Sequence, residues 1–346
     1  MKNRTAFLTD SRKLEIFESE MPISGCDDLL IKVNHVGVCG SDLSIFATSH
    51  DSFVRQSKYP VVLGHECAGE VVEAGKNASG FKTGDRVAVE PGVPCMKCEY
   101  CMTGRYNLCD RMNFMACPPW ERAALSEYIS HPAVMCFKLP DNVSTLEGAL
   151  VEPFSVGMHA VKRAEAAPGQ TVLIIGSGCI GLTVLLACKV YGASIVYVAD
   201  MFDLRLNKAK ELGATETINS NDADLADKIM ELTCGKGVDI VFEAAGNPTT
   251  AEVTQKTVKK GGKIVIVGNI HGAVPFDLMR TASREVDIIG IFRYRNQYPT
   301  AIEAISSGLA NIQSICTDLY PFDQVQRGFE DAYERKMEVV KAVIEM

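Results

Sequence analysis

Cys39-Gly40-Ser41-Asp42 and Gly64-His65-Glu66 place a thiol, an imidazole and a carboxylate on two glycine-punctuated turns. These are zinc-ligand types, and a catalytic zinc keeps three protein groups with a fourth position open. Alone, Cys39 would read as a small buried hydrophobe and His65 as a satisfied, partly buried histidine. Their company favours a metal centre. Asp42 could take the second ring N–H of His65, which fixes tautomer and basicity in a carboxylate–histidine–zinc arrangement. Glu152, in Val151-Glu152-Pro153, is an acidic residue in a run otherwise apolar from Ala149. A carboxylate there needs a partner, and a metal would supply one.

Two further constellations are more specific. Cys95, Cys98, Cys101 and Cys109 follow a C-x2-C-x2-C-x7-C pattern, which suits a tetrahedral structural zinc. The bacterial iron–sulfur pattern has a shorter last gap and a following proline; here Asp110 follows Cys109. Gly176-Ser177-Gly178-Cys179-Ile180-Gly181 follows the apolar run Thr171–Ile175, opens a helical pattern, and has Asp200 at the end of the next strand-like run. That is the full dinucleotide-binding context, with the glycines bringing backbone close to a pyrophosphate. Asp200 is expected to accept the ribose hydroxyls and repel a 2′-phosphate, favouring NAD over NADP, and Arg205 to flank the adenine or ribose.

The elements that must position these residues change character along the chain. Residues 1 to about 150 hold short β-branched runs broken by glycine, such as Asp28–Val33, Gly69–Gly75 and Asp85–Val89. They predict an irregular, mostly antiparallel β domain. After Glu152 the pattern predicts helix 153–165 with Pro153 in its first turn. Strands at 171–175, 194–199, 214–218, 238–243 and 263–267 then alternate with helices at 179–191, 203–212, 222–234 and 248–259. That alternation predicts a doubly wound parallel sheet. A last strand at 286–291 precedes helical patterns near 298–308 and 323–335. The expected fold class is α/β, with a zinc-binding catalytic domain over 1–152, to which 286–346 returns, and an NAD-binding domain over 153–285. A net charge of -8 speaks against a nucleic-acid or anionic-membrane surface. No stretch reads as a signal peptide or membrane span, and thirteen cysteines without a secretion signal read as reduced thiols and metal ligands. The expected location is the cytoplasm.

The motifs V-C-G-S-D at 38–42, G-H-E-C-A-G-E at 64–70, V-E-P at 151–153 and G-S-G-C-I-G at 176–181, with the four-cysteine stretch, resemble the zinc-containing medium-chain dehydrogenases over essentially the whole chain. Within them the chain is most similar to polyol dehydrogenases of the sorbitol (L-iditol 2-) type. The segments that carry this are Gly104–Cys109, Phe137–Val143, Glu147–Pro153 and Phe292-Arg293-Tyr294-Arg295-Asn296. The resemblance implies a GroES-like catalytic domain joined to a Rossmann domain. It implies catalytic zinc on Cys39, His65 and Glu66, with Glu152 a ligand or the acceptor for a zinc-bound water. It places Ser41 in the proton path, Arg293 and Tyr294 near nicotinamide and substrate, Phe114 in the substrate pocket, and Val267, Gly268 and Asn269 under the nicotinamide. It also implies a homotetramer, with a homodimer as alternative, pairing through 286–291. Family members often carry histidine and tyrosine where this chain has Ser44 and Ile45, and Trp120-Glu121-Arg122 departs from the usual polar loop.

The activity so implied is oxidation of a secondary alcohol of a sorbitol-, xylitol- or iditol-like polyol to a ketose, with zinc as Lewis acid and NAD as hydride acceptor. Alternatives are the same chemistry on threonine, butanediol or a polyol phosphate, for which Arg55, Lys58 and Arg122 are candidate phosphate contacts. A non-catalytic NAD-binding redox sensor or structural protein is the alternative outside enzymology.

Overall fold

A computed structural model describes residues 2–47, 60–119 and 122–346; Arg55, Lys58, Trp120 and Glu121 lie outside the described residues. The chain divides into two compact units. The first comprises Met1–Glu152, Tyr298–Ser306 and Cys316–Met346, the second Pro153–Gln297 and Ser307–Ile315.

The first unit is built on a seven-stranded sheet. Its order is Cys136–Lys138, Arg86–Val89, Glu66–Ala74, Asp28–Gly37, Ala342–Glu345 and Asp318–Pro321, with Tyr128–Pro132 also pairing to Asp28–Gly37. Every pair is antiparallel except Asp318–Pro321 with Ala342–Glu345. A smaller sheet joins Lys13–Ser19, Asn3–Asp10 and Val61–Val62. Alternating residues along these strands, among them Leu29, Ile31, Val33, Val71, Val87 and Val89, meet Phe46, Leu125 and Phe329 in one buried cluster. Register shifts at Leu30/Ile31 and Val33/His35 bend the central pair, as bulges do beside functional sites. A helix absent from the expected elements, Gly40–Ala47, starts directly after Cys39.

In the second unit a six-stranded parallel sheet has the order Glu216–Asn219, Ile195–Asp200, Thr171–Ile175, Val238–Glu243, Val258–Ile266 and Asp287–Gly290. That is the doubly wound order in which the chain reverses direction beside its first strand. Helices Cys179–Val190, Asp203–Glu211, Leu225–Leu232 and Pro248–Thr257 form the crossovers. The α/β reading, with an antiparallel and a parallel part, therefore holds.

Two expectations are corrected. Segment 286–297 belongs to the second unit, as does 307–315, because Asp287–Gly290 extends the parallel sheet against Lys263–Ile266. Only 298–306 and 316–346 return to the first. The helix expected over 153–165 begins earlier, at Thr145, and runs to Ala164 with Pro153 inside it. Ser144 and Glu147 form a reciprocal cap: the Ser144 N–H donates to Glu147 Oε2 at 2.8 Å, and the Glu147 N–H to Ser144 Oγ at 3.2 Å. This capping box starts the helix, and Pro153 only removes one interior hydrogen bond. No described helix is long and apolar enough to cross a membrane.

Candidate metal centre and dinucleotide turn

Strand Glu66–Ala74 and helix Gly40–Ala47 bring Cys39, His65 and Glu66 together, with potential ligand atoms all within 4.8 Å of one another. Asp42 organises both turns. Its Oδ2 accepts the Cys39 N–H at 3.1 Å, and its Oδ1 accepts the Gly64 N–H at 3.2 Å. The same Oδ1 lies 3.4 Å from His65 Nδ1. Asp42 is thus the acidic residue of a helix first turn reaching back to the residue before the helix. It also fixes the His65 ring with Nε2 as the nitrogen left to ligate. Burial alone would raise the Asp42 carboxyl, but His65 and the two N–H groups hold it below its ordinary range. Burial opposes charge on His65 as well; Asp42 and the Cys39 sulfur overcome this and hold the ring well above its ordinary pKa. The centre attracts positive charge, and a thiolate, an imidazole and a carboxylate at these separations fit a divalent zinc.

Glu66 has a partner that motif spacing did not reveal. Its Oε2 forms an ion pair with Lys341 Nζ, both side chains almost fully buried, and Lys341 also donates to Val38 O at 2.9 Å. A Cβ on Gly37, the cross-strand neighbour of Glu66, would stand 2.0 Å from that carboxylate oxygen. Glycine at 37 is what lets the carboxylate lie there. The signal for Lys341 was readable in the same way as that for Glu152: a charge inside the apolar run Val339-Val340-Lys341-Ala342-Val343-Ile344.

Glu152 is buried but lies outside the close group of three. Its charge is felt at Cys67, whose thiol is pushed up to about 12 chiefly by burial, and at Glu90. Glu90, also missed by motif reading, is a buried carboxyl raised to about 7 by burial and by Glu152, against the hydrogen bond from Tyr106. Phe114 stacks obliquely on His65 with ring centroids 5.5 Å apart. Ser41 is exposed beside Cys39. Ser44 is exposed with its hydroxyl donating to Gly40 O at 3.0 Å, and Ile45 is packed into the core.

The four thiols form a second group whose sulfurs lie within 4.8 Å of one another. Cys98 and Cys101 sulfurs are 3.4 Å apart, and the Cys95 N–H donates to Cys109 Sγ at 3.3 Å. Four sulfurs so close, one already receiving a backbone N–H, fit a closed tetrahedral zinc.

In the second unit Gly176 has φ 97° and packs against Ala245, and a Cβ on Gly181 would stand 1.8 Å from Gly176 O. Gly178 caps helix Cys179–Val190, with Ile180 in its first turn. Ser177 donates through both N–H and hydroxyl to Asp200 Oδ2, at 2.7 and 3.0 Å. Asp200 Oδ1 accepts from Met201 and Phe202 N–H. The carboxylate expected to await ribose hydroxyls therefore already holds the glycine turn, and its charge remains at the strand end. Arg205 lies over the Phe202 ring at 5.2 Å. The N–H groups of Val267 and Gly268 donate to Glu243 O, each at 2.9 Å, and Asn269 backbone lies against Gly246, so the 243–246 and 267–269 turns form one shelf. Arg293 has φ 51° and its guanidinium covers Phe292 at 4.8 Å, next to buried Tyr294.

The alcohol dehydrogenase GroES-like domain profile matches residues 25–141, and the zinc-binding dehydrogenase profile matches 179–307. A sorbitol dehydrogenase of Bacillus subtilis (strain 168) is 41% identical over 342 residues, covering 99% of this chain and 96% of that one. A crystal structure of an Escherichia coli oxidoreductase/dehydrogenase of unknown specificity, described as involved in membrane biogenesis, is 44% identical with a TM-score of 0.97. It covers 100% of this chain and 99% of its own. A zinc-binding dehydrogenase of Sinorhizobium meliloti 1021, solved with NADP bound, is 26% identical over the full length of both chains, with a TM-score of 0.92. With two metal-fitting groups, a doubly wound sheet and these matches to family models and relatives, the chain belongs to the zinc-containing medium-chain alcohol and polyol dehydrogenases.

Proposed function

We propose that this oxidoreductase takes a hydride from a secondary alcohol of a polyol, of the sorbitol, xylitol or iditol kind, and passes it to NAD to give a ketose. The observation that carries this is the oxygen-richer donor set of Cys39, His65 and Glu66, with Glu152 buried nearby. Such a set suits neighbouring hydroxyls as added ligands better than a two-thiolate centre does. When bound, zinc supplies Lewis acidity toward the carbinol oxygen and the nicotinamide supplies the hydride acceptor.

The chain's own residues do the rest. Asp42 holds His65 in its ligating tautomer. Ser41, exposed beside Cys39, is assigned to pass the carbinol proton from its hydroxyl to solvent, and Glu152 to accept a proton inside. Phe114 walls the substrate side of His65, and Arg293 and Tyr294 are assigned to substrate hydroxyls. Gly176, Gly178, Ile180, Gly181, Val267, Gly268 and Asn269 are assigned to the dinucleotide, with Arg205 at its adenosine end. The charge of Asp200 at the strand end supports NAD over NADP, since a 2′-phosphate there meets a carboxylate. The proposed working form is a cytoplasmic homotetramer acting on small molecules.

The test is nicotinamide reduction with NAD and NADP across sorbitol, xylitol, ribitol, galactitol, threonine and butanediol, with zinc measured alongside. A polyol should give the highest kcat/KM, and NAD should exceed NADP. Threonine or butanediol at tenfold the best polyol would overturn the substrate class. Cys39→Ser should abolish turnover and leave NAD binding intact.

A further inference from the structure

The four-cysteine lobe is inserted between two stems, and the outgoing one ends against His65 of the candidate metal centre. The ladder of Gly92–Val93 with Asn113–Phe114 closes its base, and the Met115 N–H donates to Pro91 O at 3.1 Å. The outgoing stem delivers Phe114, whose ring lies against His65. The incoming stem delivers Glu90. Cys67 pairs with Val89 across adjacent antiparallel strands, and this pair ends their ladder, so Glu90 follows directly after the partner of the residue next to Glu66. The two carboxylates go to different partners. Glu66 lies over Gly37 against Lys341. Glu90 accepts the Tyr106 hydroxyl at 2.8 Å, and Tyr106 sits inside the lobe between Cys101 and Cys109. The Glu90 backbone is fixed too: its carbonyl lies 2.9 Å from His131 Nε2 and its N–H donates to Met135 O at 2.8 Å. Glu90 also feels the charge of Glu152.

We infer that Tyr106 and Glu90 are positioning residues that couple closure of the four-cysteine lobe to the geometry of the Cys39/His65/Glu66 centre. A lobe needed only for its own folding has no use for a half-buried hydroxyl reaching a buried carboxyl at the foot of its stem. Here that bond sets where Glu90 stands relative to Glu66 and Glu152. An open lobe releases Tyr106, and with it the carboxyl that shapes the charge around the centre. The inference rests on the reading that Cys39, His65 and Glu66 hold a metal.

The experiment uses the full chain with zinc in the lobe and cobalt exchanged into the Cys39/His65/Glu66 centre. Tyr106→Phe should retain the lobe zinc, shift the visible cobalt bands, and lower kcat about tenfold, the scale of a ligand-supporting contact, at unchanged KM for NAD. The double variant Tyr106→Phe/Glu90→Gln should lose no more than the worse single variant, because Tyr106 reaches the centre only through the Glu90 carboxylate that Gln replaces. Unmoved cobalt bands with kcat within twofold of the parent, or losses that multiply in the double variant, overturn the coupling. If Tyr106→Phe loses its lobe zinc, Glu90→Gln decides alone: it keeps a carbonyl acceptor for Tyr106 while removing the charge, and unmoved bands there overturn the inference equally. The cobalt bands need no turnover, so a protein that oxidises no polyol still answers this test, whereas failure to bind cobalt at all refutes the underlying metal reading.

Discussion

At the scale of single residues, the pair Glu66–Lys341 matters most to how the centre stands without and with its metal. Both side chains are almost fully buried, and removing one partner of such a pair leaves an uncompensated charge at a cost of about 3–5 kcal/mol. Lys341→Met should therefore lower the unfolding free energy of the metal-free protein by about 3 kcal/mol, measured by urea titration. Saturating zinc should recover most of that loss, because a cation ligated by Glu66 replaces the lysine charge. Recovery absent at full zinc occupancy would show that Glu66 serves the ion pair and not the metal. Asp42 is the complementary case: a single carboxylate spends both oxygens on the turns that carry Cys39 and His65, and its spacing from Cys39 made it readable in advance.

At the scale of elements, helix Thr145–Ala164 shows what a short pattern can hide. Its start is set by the reciprocal bonds between Ser144 and Glu147, so Ser144→Ala should destabilise the protein by about 1 kcal/mol. A urea midpoint unchanged within error would mean the helix is held by packing alone. The parallel sheet was legible because its buried strands are continuous apolar runs and Gly176, Gly178 and Gly181 mark the first crossover. Helix Gly40–Ala47 was not, since Gly40 reads as a turn, while its real signal is Asp42 bonding back to the Cys39 N–H. Strand Asp287–Gly290 was legible as a strand, but its sheet was not, because a short apolar run carries no record of its neighbour. Partners far apart in sequence, Lys341 for Glu66 and Tyr106 for Glu90, left only the general signal of a charge in apolar company.

At the scale of the whole molecule, two properties follow from what is buried and what is not. His131 is fully buried, with Nε2 beside Glu90 O and no partner for Nδ1 among the described residues, and burial depresses its pKa from 6.5 to about 4. The unfolded chain binds that proton first, so this stability is complete above pH 6.5 and is lost as pH falls toward 4. The loss is about 3 kcal/mol over that window. His131→Gln, which keeps a donor for Glu90 O, should flatten the acid limb of stability against pH; an unchanged limb would mean other groups govern it. Strand Asp287–Gly290 ends its sheet and is paired on one side only among the described residues, with Ile288 45% exposed. An edge of this kind invites a second copy of the chain, and it is the contact through which the proposed homotetramer would form. A charge on such an edge blocks pairing, so Ile288→Lys should reduce the mass in solution by light scattering while leaving the far-ultraviolet spectrum unchanged. The parent mass persisting in the variant would place the subunit contact elsewhere.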